Sequence, residues 1–169
     1  MKKLLFTLCL LSMSILASAR IPRMFFGCTF GDNMLAAKRI IQNNFVDAID
    51  NGESISFPHG KLEYVTMYFV NNIFYKIEFT SADFSPKFKY FDHVAEQSIG
   101  RYVEYGIKDV EKPSHALRPT DIFMKGKEVS DGNTDCCLYL SFSVDGATKE
   151  TTFKNYLIYV ESKLYEDNK

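Results

Sequence analysis

Alternation of apolar and polar side chains is clearest between residues 61 and 79. Across 61–70, Val65, Met67 and Phe69 share one face, and Leu62, Tyr64, Thr66 and Tyr68 share the other. After Asn71-Asn72, Ile73, Tyr75, Ile77 and Phe79 repeat the alternation. A period of two is that of a half-buried strand, and Asn tolerates the positive φ of a tight turn, so this stretch predicts a β-hairpin. Ser54-Ile55-Ser56-Phe57 adds a strand ahead of it, stopped by Pro58, and Met24-Phe25-Phe26 predicts a short first strand closed by Gly27. Three more strands are expected over 121–129, 136–144 and 153–162. In the second of these, Cys136, Leu138, Leu140, Phe142 and Val144 lie opposite Cys137, Tyr139, Ser141 and Ser143.

Two segments carry the helical period instead. Met34, Ala37, Ile41, Phe45 and Ala48 form one apolar stripe behind Asp32, a good N-cap, and predict a helix over 33–48 ended by Asn51-Gly52. Lys38 and Arg39 fall toward its polar side. A second helix is expected from Ser85-Pro86, with Phe88, Phe91, Ala95, Ile99 and Tyr102 on one face and Gly106 just past its end. The stretch 107–119, with two prolines, reads as a loop, and 161–169 as a fraying tail. The order helix, strands, helix, strands predicts an α+β domain: a curved antiparallel sheet of about five to seven strands with two amphipathic helices on one face. It also hints at two halves of similar topology.

The chain opens differently. Met1-Lys2-Lys3 precedes an apolar run from Leu4 to Leu16 and then Ala17-Ser18-Ala19. Early lysines, a short apolar core and an A-x-A ending mark a secretory signal peptide over 1–19, cleaved after Ala19. A membrane anchor would need roughly 20 apolar residues. Lipid attachment at Cys9 is disfavoured because it follows Phe6-Thr7-Leu8, without a small residue before it. The expected product is a single domain over 20–169, secreted or periplasmic, with no transmembrane segment after cleavage.

Composition then narrows the function. Removing Lys2 and Lys3 from 20 basic residues leaves 18 against 21 acidic ones, which disfavours a nucleic-acid surface. The 15 Phe and 10 Tyr belong mostly to core and cross-strand pairs, and the absence of Trp argues against a carbohydrate platform. Cys28, Cys136 and Cys137 remain after processing. A secreted destination permits Cys28 to pair with Cys136 or Cys137, and the alternative is three buried thiols acting as small hydrophobes.

No phosphate-binding glycine loop, G-x-S-x-G elbow or H-E-x-x-H motif is present. His59 reads as a turn residue, His93 and Glu96 as neighbours on a polar helix face, and His115 has no visible partner. The most concrete enzyme alternative is a Cys–His pair, with Cys28 beside His59 or His115. No catalytic residue, metal ligand or cofactor is expected. Tyr64, Tyr68, Tyr139, Tyr156 and Tyr159 are candidate sheet-face aromatics, of which Tyr64, Tyr68, Tyr139 and Tyr159 are taken as the binding residues, since Tyr offers ring contact plus a hydroxyl.

Gly27-Cys28-Thr29-Phe30-Gly31-Asp32, followed by a helix and aromatic-rich hairpins, resembles the helix entry of small envelope domains of the BamE/SmpA type and the β-lactamase-inhibitor-like type. The resemblance implies a binding or assembly module on a helix-backed sheet and carries over no site residue. The chain departs from the BamE type in lacking a lipobox. The expectation is a non-enzymatic binding module that meets another envelope or extracellular protein. The alternatives are a thiol-dependent secreted enzyme and a structural accessory module of the envelope.

Overall fold

The computed structural model of the chain describes residues 20–60, 62–81, 91 and 95–168. The expected signal peptide, and Ser85, Pro86, Phe88 and His93 of the second expected helix, lie outside them. A small hairpin of β1 (Met24–Phe25) and β2 (Cys28–Thr29) leads into helix α1 (Met34–Asn44). Four strands follow: β3 (Ile49–Asp50), β4 (Ser54–His59), β5 (Leu62–Val70) and β6 (Ile73–Ser81). After a 3-10 segment (Gly100–Tyr105) come β7 (Lys108–Val110), β8 (Ile122–Ser130), β9 (Thr134–Val144), β10 (Thr151–Glu161) and a closing helix α2 (Ser162–Asn168). Strands β3 to β10 form one eight-stranded antiparallel sheet in the order β3-β4-β5-β6-β10-β9-β8-β7. It is two consecutive four-stranded meanders joined where β6 pairs with β10, from Lys76↔Val160 to Ser81↔Asn155.

The expected α+β layout, with two amphipathic helices alternating with groups of strands, is overturned. Strands make up 48% of the described residues, and the sheet is wider than the five to seven strands expected. Helix α1 stops at Asn44 because Phe45 turns extended, at φ −131°, to stack its ring 4.3 Å from Phe57. Its N-cap is Asn33, whose side chain accepts from the Leu35 amide, while Asp32 accepts from the Thr29 amide. Near the end of the second expected helix, Tyr102 leaves helical geometry and Gly106 turns left-handed at φ 75°. The two outermost strands escaped the pattern because two or three residues are too few to show a period.

The hairpin at Asn71-Asn72 forms as the alternation predicts. Both residues take positive φ, 45° and 67°, and Val70 pairs with Ile73. Strand β4 runs through Pro58, which sits at an irregularity between Phe57 and His59 where a missing amide is tolerated. The expected tail is ordered as α2, with Tyr165 stacked 5.0 Å from Tyr75.

Register divides the sheet into two faces. On the first, Ile55, Met67, Ile77, Tyr159, Cys136 and Val129 form one cross-strand row, and Phe57, Val65, Phe79, Leu157 and Leu138 another. Helix α1, the β1–β2 hairpin, and Phe91, Ala95, Ile99 and Tyr102 join these rows in the main core. Lys38 is buried at 6% exposure rather than solvated: its ammonium binds Asp50 Oδ1 at 2.6 Å and the Gly52 carbonyl, tying α1 to β3. On the second face, Cys137, Tyr139, Tyr156, Ile158 and Val160 form a smaller cluster.

Gly126 makes that second cluster possible. A Cβ there would lie 2.6 Å from the Tyr139 ring and 3.0 Å from Val110, so the ring packs flat across bare backbone. Gly126→Ala must push Tyr139 aside, an overpacking cost of about 1–3 kcal/mol. A lower urea midpoint with an unchanged slope checks this.

Candidate functional site

The second face is crossed by the chain between β7 and β8, residues 111–121, which lies over β8, β9 and β10 as a strap. Three cross-strand rows lie on this face: Ser54–Tyr68–Lys76–Val160–Asp135–Ser130, Ser56–Thr66–Glu78–Ile158–Cys137–Glu128, and Tyr64–Thr80–Tyr156–Tyr139–Gly126. The strap docks on their right-hand ends. Ser114 donates from its amide (3.0 Å) and hydroxyl (2.6 Å) to Glu128, which also accepts from the Tyr139 hydroxyl. His115 Nε2 stands 3.5 Å from Asp135 Oδ2. At the far end, Asp121 accepts from the Tyr156 hydroxyl and lies 3.9 Å from the Lys154 ammonium. Leu117 packs on the aromatic cluster between these ties.

Carboxylates thus fasten the strap, and hydrogen bonds to a charged acceptor are worth about 1.5–3 kcal/mol each, against about 1 for neutral pairs. Tyr105, Lys108, Ser114, Glu128, Ser130 and Asp135 surround a cavity of about 270 Å³ at its edge. Every carboxylate oxygen of Glu128 is already committed to a donor, so this cavity reads as the seam of the strap. Among the described residues, no group of three or more His, Cys, Asp or Glu is placed to hold a metal ion, and no helix is long and apolar enough to cross a membrane.

The left-hand ends of the rows are different. Tyr64 and Tyr68 on β5 are half-exposed, with Ser54 and Ser56 beside them. Tyr68 is held firmly: its hydroxyl donates to Glu78 at 3.4 Å, and the Lys76 ammonium lies 4.4 Å over its ring. Lys76 and Glu78, both buried, pair at 3.3 Å. Burial, and then the Glu78 charge, push the Tyr68 hydroxyl well above its ordinary value, so it remains a donor. Removing either member of the buried pair would strand the other, at a cost of about 3–5 kcal/mol.

The structure separates the sequence candidates. Tyr64 and Tyr68 share the second face with Tyr139 and Tyr156, but Tyr139 and Tyr156 are fully buried beneath the strap. Tyr159 points to the opposite face, buried in the main core with Phe25 5.0 Å away. Only Tyr64 and Tyr68 are open to a partner. The residues that sequence reading missed are Glu128, Asp135, Asp121 and Arg118. One signal could have found the strap: Gly126, isolated within a strand pattern, marks a close approach of another group.

No disulfide joins the cysteines among the described residues. Cys28, Cys136 and Cys137 are all free and buried. Cys28 and Cys136 lie in the main core, whereas Cys137 faces the second cluster, as alternation along a strand requires. The Cys28 thiol contacts the Ala37 carbonyl at 3.8 Å. Burial pushes Cys28 up to about 11 and Cys136 up to about 12, and holds Cys137 well above its ordinary value. A nucleophilic thiol needs the opposite shift. His59 packs edge-on against Phe26 at 5.0 Å, and His115 belongs to Asp135.

Comparison with family models, with curated proteins and with solved structures found no match.

Two measurements check this site. In the folded protein all three thiols are expected to resist iodoacetamide, and to react rapidly once urea unfolds the chain; fast labelling of one folded thiol would contradict their burial. The second concerns Asp135. Burial raises its carboxyl, but His115, Ser130 and Ser162 around it outweigh burial and hold it below the ordinary value of 3.8. A carboxyl depressed on folding contributes stability above its unfolded value and loses it as pH falls through the folded one. Asp135→Asn is therefore expected to lower stability near pH 7 by about 1–2 kcal/mol. Urea titrations should show that deficit shrinking below about pH 4.

Proposed function

We propose that the protein is a non-enzymatic binding module, secreted or periplasmic, whose partner is another envelope or extracellular protein met by the open half of the second sheet face. The observation that carries this reading is the contrast within that face. The strap buries Tyr139 and Tyr156, while Tyr64 and Tyr68 stay half-exposed, with Tyr68 locked by Lys76 and Glu78. Rigid aromatic side chains that keep part of the ring exposed give contact area at small ordering cost, the usual make-up of an interface anchor. The likeness of Gly27 to Asp32 to the helix entry of small envelope domains points the same way, as does the signal-like segment over 1–19 for the address.

A photoreactive amino acid placed at Tyr64 or Tyr68 in the secreting cell tests the reading. A discrete cross-linked protein adduct is expected from both positions and not from Ala147, in the exposed turn between β9 and β10. Equal labelling from all three positions, or none from any, would sink it.

A further inference from the structure

We infer that Arg118 and Tyr64 form a subsite for an acidic side chain of the protein partner; this rests on the binding role of the Tyr64 half-face. Arg118 opens the turn Arg118-Pro119-Thr120-Asp121, closed by a 2.9 Å bond from the Asp121 amide to the Arg118 carbonyl. Proline is preset for the second position of such a turn. Asp121 at the other end has a fully buried side chain bound to the Tyr156 hydroxyl and near Lys154. The turn is thereby held to the sheet, and Arg118 lies beside β4 and β5.

There Arg118 lines a shallow pocket of about 200 Å³ with Ile49, Asn51, Ser56 and Tyr64. That lining contains hydroxyls, an amide and a guanidinium but no carboxylate. Among the described residues no acidic group lies within ion-pair distance of Arg118, whereas Lys38, Lys76, Lys127 and Lys154 each have one. The carboxylates on this part of the face are already committed, Glu78 to Lys76, Tyr68 and Thr80, and Asp121 to Tyr156 and Lys154. A guanidinium without a carboxylate partner among the described residues, near the Tyr68 and Tyr156 hydroxyls, offers five donors in a planar fork and is matched by a carboxylate that accepts two of them at once. The volume admits a carboxylate with two or three carbons. Ile49, 53% exposed on the rim, supplies an apolar shoulder for a neighbouring aliphatic side chain. Charge and shape together select an aspartate or glutamate flanked by an apolar residue.

The test uses the mature chain, labelled for NMR, and two blocked peptides, acetyl-Ile-Asp-Ile-amide and its Asn counterpart. The Asp peptide is expected to shift the Arg118 Nε–H and Tyr64 ring resonances and to bind roughly fivefold or more tightly than the Asn peptide. That preference should weaken as salt rises from about 20 to about 300 mM. R118Q should abolish the preference while leaving the Thr80 and Gly126 amide resonances in place, which shows that the sheet has kept its form. Equal binding of the two peptides, or a preference surviving in R118Q, would overturn the inference. So would shifts at Arg118 with inorganic phosphate or glucuronate but not with the Asp peptide. Cross-linking from Tyr64 that persists in R118Q, with no Asp preference in the titration, would leave the binding face standing and remove the acidic subsite alone.

Discussion

The pairing of β6 with β10 is the constraint on which everything else rests. It joins residues 76–81 to 155–160, so the two meanders become one sheet only through a contact spanning about half of the domain. All three rows of the second face pass through it, and so do the rows of the main core. Without it, β6 of one meander and β10 of the other would each present an open edge to water. Closure over such sequence distance carries an entropic cost and slows folding. Once made, it sets the register of Tyr156 against Thr80 and Tyr139, and hence the floor on which the strap lies.

The second face shows how one surface is given two characters. Over β8 to β10 a buried aromatic and aliphatic cluster is flanked by Glu128, Asp135 and Lys154, and the strap brings serine, histidine and aspartate to meet them. Over β4 and β5 the same rows end in serine, threonine and half-open tyrosine. The buried Lys76–Glu78 pair stands between the two zones, with Tyr68 leaning on it. A buried ion pair contributes little net stability but fixes geometry, because neither charge can move without leaving the other stranded. Order is therefore passed from the covered half to the open one through β6.

Much of the strand content was legible from alternation alone, because a period of two survives in any strand with unlike faces. The hairpin at Asn71-Asn72 and the two faces of β9 are cases in point. The helices were less so. Helical spacing of Phe45 and Ala48 extended α1 too far, since Phe45 is apolar for the sake of Phe57 and not for the helix stripe. Lys38 was misplaced because its charge was taken as a sign of solvent, when Asp50 was waiting across the core boundary. The strap was invisible: its ties link Ser114 to Glu128, and Asp121 to Tyr156, 35 residues apart. Which tyrosines are open depends on those ties and on cross-strand register, so parity put Tyr64 and Tyr68 on one face of β5 without showing which of the candidate tyrosines remain accessible.

The short outer strands have a further consequence. The sheet ends in a two-residue strand on one side and a three-residue strand on the other, and β4 behind the first carries Pro58. So little free ladder, interrupted by a residue without an amide, offers a poor template for another chain to add itself edge-on. Such short edges disfavour extension of the sheet by backbone pairing with a second copy or a peptide. An approach to the face of the sheet is favoured instead, where recognition is written in side chains and can be altered one residue at a time.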